Sequence, residues 1–255
     1  MDTIMKTVIS IAKEAGIKIK DNRNFSISQK TDIANIVTTM DTQIQDFILT
    51  RLKEILPEAK IIAEENEVHS FDNGYVWVVD PIDGTTNYAY DCKHSCISIA
   101  LLYKSEGYIG VVYNPYLDEL FYAKKDEGSY LNEKPIHVTN NKLSNSLIIM
   151  GTSPYRKDKA DYTFDIAKRL FINGRDIRRS GSAVLDLCYV ACGRYDAFFE
   201  ADLAVWDRAA ASLIISEAGG IVEAIKPAIW NYERPIGVLA GNTNNIKDLE
   251  ALIKP

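Results

Sequence analysis

The sequence predicts a layered mixed fold, α+β in its first half and α/β in its second. Three observations carry this. Two amphipathic helical stretches open the chain and are followed by short apolar runs broken by turn residues. Beyond a polar bridge at 139–145, strand-like and helical segments alternate to the end. The 255 residues are 47% hydrophobic and 25% charged, an ordinary globular balance. A chain of this length buries on the order of 70% of its unfolded surface. The bridge divides it into halves at 1–140 and 141–255.

Element by element, Ile4, Val8, Ile11 and Ala15 share one helical face, with Gly16 near its end. Residues 21–30 are polar and read as a loop. Ile44, Phe47, Ile48, Leu52 and Ile55 repeat at helical spacing. Thr39-Met40-Asp41-Thr42 supplies a capping first turn, and Pro57 stops the helix. Apolar runs at 61–63, 75–79, 96–103, 108–113 and 119–123 read as an antiparallel meander, punctuated by Gly107, Asn114-Pro115 and Gly128. In the second half, 147–150, 176–178, 197–200 and 237–240 are extended, and 158–171, 183–192, 209–218 and 244–253 are helical.

The net charge of −6 is not that of a chain built to neutralise a nucleic-acid backbone or an anionic membrane. A phosphorylated small molecule would need local positive charge, usually a metal. No stretch reaches about 18 apolar residues, so no transmembrane helix is expected. The N-terminus lacks a charged start followed by an apolar block, which points to the cytoplasm. Cys92, Cys96, Cys188 and Cys192 form two Cys-x₃-Cys pairs that superficially suggest zinc. Because Cys188 and Cys192 lie on a helix facing the core, buried free thiols are the better reading. His69 and His137 fall in polar segments and read as surface residues, and Tyr88 and Tyr90 as packing at a cleft edge.

The most informative segment is Trp77-Val78-Val79-Asp80-Pro81-Ile82-Asp83-Gly84-Thr85-Thr86-Asn87. An apolar strand runs into a turn with two carboxylates three apart, followed at once by a glycine and hydroxyls. Carboxylate and carbonyl oxygens are what a hard cation such as Mg²⁺ requires. Gly84 lets backbone N–H groups approach an anion closely, and a helix opened by Thr85 and Thr86 would aim its free amides at the same place. Two further acidic features join it: the strand end Ala63-Glu64-Glu65, and Trp206-Asp207 before a helix running to Gly219-Gly220. Alone, each has an ordinary reading as a turn, an N-cap or a solvated pair. Gathered in one pocket without metal, Glu64, Asp80, Asp83 and Asp207 would repel one another by several pKa units, which argues against a structural role.

Together these segments resemble the inositol monophosphatase superfamily, the lithium-sensitive, Mg²⁺-dependent sugar and nucleotide phosphatases. Residues 80–87 match its first signature, D-P-I-D-G-T-T-N, without departure, and 206–220 match its second, W-D-x-A…E-A-G-G. Ala63-Glu64-Glu65 stands where G-E-E is usual, Thr38-Thr39-Met40-Asp41 resembles T-x-x-D, and Lys30 is placed like the upstream lysine. The resemblance covers nearly the whole chain, in order. It implies the αβαβα sandwich with the site between the halves, a homodimer, and two to three Mg²⁺. Glu64, Asp80 and the Ile82 carbonyl would hold a first metal, and Asp80, Asp83 and Asp207 a second. A third, weaker ion would sit near Glu64. Thr85 and Asp41 would orient the attacking water, with Glu64 beside them in the catalytic set. The amides of Gly84 and Thr85 would hold the phosphate. Two divalent ions about 3.5–4 Å apart suit an in-line displacement, which needs positioning and charge neutralisation rather than a nucleophilic side chain.

On the substrate side, Gly181-Ser182-Ala183 resembles the family segment that faces substrate hydroxyls, and Glu200 the acid that binds a ring hydroxyl. Ala204 stands where the animal inositol enzymes carry a histidine, which widens the expected substrate range. Arg178 and Arg179 are either contacts for a second phosphate or a solvated basic edge. The expected activity is hydrolysis of a small phosphorylated polyol of the inositol monophosphate type. The rivals are fructose 1,6-bisphosphate, histidinol phosphate or a 3′-phosphoadenosine nucleotide as substrate, and, from another class, a non-catalytic regulator.

Overall fold

The computed structural model describes residues 2–30, 35–65 and 74–253. The His69 expectation lies outside them. Helix α1, Thr3–Asp21, starts where the Asp2 side chain accepts from the Met5 amide at 2.8 Å. A hairpin of β1, Ile27–Gln29, and β2, Ile36–Thr38, then leads directly into α2, Thr39–Ile55. The polar stretch at 21–30 is therefore not all loop. Its strand is three exposed residues long, too short for an apolar alternation to betray it.

Seven strands follow: β3, Lys60–Ala63; β4, Tyr75–Asp83; β5, Cys96–Tyr103; β6, Glu106–Asn114; β7, Glu119–Lys124; β8, Ser129–Leu131; and β9, Lys134–Pro135. They form one sheet in chain order, antiparallel except for the β3–β4 pair. A short helix, α3, Thr85–Ala89, sits between β4 and β5. The second half runs β10, Leu147–Met150; α4, Ala160–Asn173; β11, Asp176–Arg178; α5, Ala183–Ala191; β12, Ala197–Leu203; α6, Ala209–Glu217; β13, Ile221–Ala224; β14, Ile236–Gly241; and α7, Thr243–Ile253. Its five strands are ordered β11-β10-β12-β14-β13.

Strand alternation explains the layering, because successive residues face opposite sides of a sheet. Along β4 and β5, Trp77, Val79, Ile97, Ile99 and Leu101 pack under Val8, Ile11, Ile44 and Ile48 of α1 and α2. Val76, Val78, Ala100 and Leu102 face the other way, against Leu187 of α5 and Ile214 of α6. The same central core takes in Phe198 and Val238 from the five-stranded sheet. That sheet's far face, with Ile148, Phe199 and Leu239, is covered by Ile166 and Leu170 of α4 and Leu249 of α7. The result is the expected αβαβα stack. Both sheets are covered on both faces, so their strands read as nearly continuous apolar runs.

Of the four cysteines, all free, Cys96 and Cys188 are buried, Cys192 is half-buried and Cys92 is exposed. The buried-thiol expectation fails at Cys92, in the loop after α3, where no core face is available.

Candidate active site

On a regular strand, residues three apart face opposite sides of the sheet. Asp80 and Asp83 nevertheless reach one site, because the β4–β5 register shifts between them. The strand predicted at 75–79 runs on to Asp83 through this irregularity. One carboxylate oxygen each from Asp80, Asp83 and Asp207 lies within 4.8 Å of the other two. Asp80 Oδ1 accepts from the Ile82 amide at 3.0 Å. Asp83 Oδ2 accepts from the Val184 amide at 3.0 Å and from the Ser182 hydroxyl, so the start of α5 fixes its rotamer. Asp207, just before α6, accepts from the Ala204 amide at 3.0 Å.

Burial pushes the Asp80 carboxyl well above the ordinary carboxylate range, and Glu64, Asp83 and Asp207 push it further. Burial likewise raises Asp207, helped by Asp83 and Glu64. Asp83 goes up to about 6, again through burial, against the pull of its Ser182 and Val184 donors. Among the described residues no ion pair reaches these three aspartates; the nearby Lys30 ammonium goes to Glu64 Oε1 at 2.9 Å and Glu65 Oε1 at 2.7 Å. Three clustered hard oxygen donors, Asp80 and Asp83 buried and Asp207 half-buried, without a counter-cation among the described residues fit a divalent metal ion. Glu64 stands outside this tightest set and is tied to Lys30.

Beside the aspartates, Gly84 caps α3 with φ +84°. A Cβ there would lie 3.1 Å from the His94 carbonyl and 3.2 Å from that of Gly181, so both conformation and space require glycine. The Thr85 hydroxyl is 3.0 Å from Asp41 Oδ1 and 3.1 Å from the Ile82 carbonyl oxygen, and its one proton serves either acceptor. Asp41 is fully buried, its other oxygen accepting from the Thr38 amide at 2.7 Å and hydroxyl at 2.6 Å. The capping box that starts α2 thus also aims a carboxylate at Thr85. Burial raises its pKa against those donors.

These groups open onto a cleft of about 1150 Å³ between the halves of the chain. Lys30, Glu64, Gly84 and Thr85 line it from one half, and Gly181, Ser182, Ala183, Glu200, Ala204 and Asp207 from the other. Glu200, on β12, accepts from the Ser153 amide at 2.8 Å and is pushed up to about 7 by burial. Its Oε2 lies 1.8 Å from where a Cβ on Gly151 would be, so only glycine leaves room for this acid. Arg179 lines the cleft, 3.3 Å from the Thr152 hydroxyl, whereas Arg178 turns outward to pair with Asp176. The two arginines part because consecutive residues leaving β11 point to opposite sides. Tyr90 lines the cleft and is 76% exposed, while Tyr88 is fully buried.

Sequence reasoning passed over Asp186 and Tyr155, both in the cleft wall. Asp186 is 1% exposed, bonded by the Ser180 hydroxyl and pushed well up by burial. A lone acid inside an apolar helical run was its only available signal. Tyr155 lies in a loop and carried none.

The family model described as the inositol monophosphatase family matches residues 1–254. A Nus factor SuhB from Xylella fastidiosa is 42% identical over 190 residues, 74% of this chain and 69% of its own. An inositol-1-monophosphatase from Synechocystis is 41% identical over 200 residues, 78% of this chain and 70% of its own. The inositol monophosphate-bound structure of the Staphylococcus aureus inositol monophosphatase II superposes with a TM-score of 0.82 at 28% identity, covering 98% of this chain and 93% of that one. With the signature segments gathered in one acidic cleft and the match running end to end, the chain belongs to the inositol monophosphatase family, whose members are phosphoric monoester hydrolases.

Proposed function

We propose that this protein hydrolyses a small phosphorylated polyol of the inositol monophosphate type with Mg²⁺ as its cofactor. The observation that carries the reading is the convergence of Asp80, Asp83 and Asp207 within 4.8 Å beside the Gly84–Thr85 turn. Two to three Mg²⁺, held by Glu64, Asp80, Asp83, Asp207 and the Ile82 carbonyl, would supply Lewis acidity toward the phosphoryl group and the attacking water. Thr85 accepts from that water while its own proton goes to Asp41, which holds the attacking oxygen in line. The amides of Gly84 and Thr85 hold the phosphate. Gly181, Ser182 and Ala183 face the substrate's hydroxyls, Glu200 binds one of them, and Arg179 is the arginine placed to meet a second anionic group. The halves 1–140 and 141–255 act as one unit in a cytoplasmic homodimer. No helix among the described residues is long and apolar enough to cross a membrane.

The test is phosphate release from inositol 1-phosphate, fructose 1,6-bisphosphate, histidinol phosphate and a 3′-phosphoadenosine nucleotide in Mg²⁺, compared by kcat/KM. The expected result is turnover of inositol 1-phosphate and at least one bulkier substrate, since Ala204 leaves room, with lithium lowering the rate. No release from any of them would overturn the reading. Insensitivity to lithium would remove only that property.

Glu200→Ala is expected to leave Mg²⁺ dependence unchanged and to compress discrimination among polyol phosphates on the order of tenfold or more, since a site built to bond a hydroxyl penalises its absence heavily. Unchanged kcat/KM ratios would make Glu200 a structural acid. The Xylella relative is named a Nus factor, and the second reading is that this chain has that role as well as turnover. The intact acidic set argues that turnover is retained, because a purely regulatory chain would be free to lose it.

A further inference from the structure

Arg208 follows Asp207 directly and is fully buried, at 0% exposure. Its guanidinium carbon lies 4.9 Å from the Trp230 ring centre and 5.4 Å from that of Tyr232, and the two rings stand at 84°. Nη2 donates to the Arg234 carbonyl at 3.0 Å. Nε and Nη1 are buried with no partner among the described residues. A guanidinium stays protonated in proteins, so this buried group is a cation.

For stability this is an expensive arrangement. A buried cation with two unmade hydrogen bonds costs more than an apolar side chain of the same volume. It also stands at the N-terminal end of α6, where the helix dipole disfavours positive charge. What only a guanidinium provides here is a flat face for two aromatic rings together with a fork aimed at a carbonyl. The carbonyl it holds is that of Arg234, and the next residue, Pro235, lines the active-site cleft with Leu203, Ala204, Trp206 and Asp207. A shift of the backbone at Arg234 therefore moves the cleft wall on the Asp207 side.

We propose that Arg208 is a positioning residue: it clamps residues 230–235 through Trp230, Tyr232 and the Arg234 carbonyl, and so sets which leaving alcohols the cleft accepts. The proposal rests on the phosphatase reading and goes beyond it by assigning specificity to a side chain that does not reach the cleft.

Three variants test it. Arg208→Lys keeps the charge but loses the fork and the flat face, Arg208→Met keeps much of the volume without the charge, and Trp230→Leu removes one jaw from outside. Each is compared with the parent by amide hydrogen exchange of the 226–236 segment, by the inhibition constant of inorganic phosphate in Mg²⁺, and by kcat/KM across the substrate panel. Exchange of that segment should rise on the order of tenfold or more. The kcat/KM ratio between the two best substrates should change by about tenfold, because small displacements of a positioned wall are felt strongly in rate. Phosphate inhibition should stay unchanged, since that anion touches only the metal end. Unchanged exchange and unchanged ratios would overturn the proposal, as would loss of phosphate inhibition in step with the rates, which would mark Arg208 as general support. Should both Arg208 variants fail to fold, Trp230→Leu carries the same readouts. A parent enzyme that releases no phosphate at all would sink the phosphatase reading instead, and the exchange result would then judge the clamp by itself.

Discussion

Asp207→Asn is expected to lower kcat on the order of 10³-fold, as loss of a group that stabilises developing charge does, and to raise the melting temperature of the metal-free protein. The two effects have one origin. At 4.8 Å, the outer limit of the aspartate cluster, two ionised carboxylates would repel by about 3.5 kcal/mol at an effective dielectric of 20. Burial raises both Asp80 and Asp207 and so favours their protonated forms, which makes the relief from removing one charge smaller than it would be among fully ionised neighbours. An asparagine in the same rotamer keeps the acceptor for the Ala204 amide, so the local hydrogen bond is not lost. With metal the sign reverses, since the variant has lost an anionic ligand. Asp83→Asn should behave alike, its carbonyl still accepting from Ser182 and Val184. The measurements are steady-state kinetics in Mg²⁺ and thermal unfolding in chelator. Activity equal to the parent would refute Asp207 as a ligand, and a lower melting temperature in chelator would refute charge repulsion as the state of the empty cluster.

Metal removal should also change the pH dependence of stability. Asp83 is raised to about 6, and Glu65 and Glu200 each to about 7, all through burial. An acid whose folded-state pKa lies above its unfolded one binds protons more tightly when folded. Stability in chelator should therefore rise as pH falls from about 8 toward 5, between the folded pKa values and the unfolded values near 4. For Glu200, 5% exposed, a shift from 4.5 to about 7 is worth on the order of 3 kcal/mol once complete. Lys30 does not offset this: burial alone would lower it, but Glu64 and Glu65 hold it above its ordinary value, so it stays charged across the range. With saturating Mg²⁺ the slope should flatten or reverse, because the cation binds ionised carboxylates and its stabilisation grows as they deprotonate. Melting temperatures at pH 5.5, 6.5 and 7.5, with chelator and with Mg²⁺, test this. A chelated protein that melts higher at pH 7.5 than at 5.5 would contradict it.

Much of this molecule is legible in one dimension. The helices of 3–21 and 39–55, the strand running into Asp80 and the helices of the second half announce themselves because periodicity, caps and turn residues act between chain neighbours. The acids Asp80, Asp83 and Asp207 are equally visible, carried by segments whose composition makes sense together only around a cation. Packing decided the rest. The β4–β5 irregularity brings Asp80 and Asp83 to one side, and no local rule places it. The direction in which the chain leaves β11 keeps Arg179 in the cleft and sends Arg178 to Asp176. Glu200 needs an unsubstituted Gly151 just past the end of neighbouring β10, and Arg208 meets two rings and a carbonyl from a loop beyond α6 and β13. These contacts join residues far apart in sequence. Their geometry depends on how α5 and α6 fill the space between two sheets, which no single segment encodes.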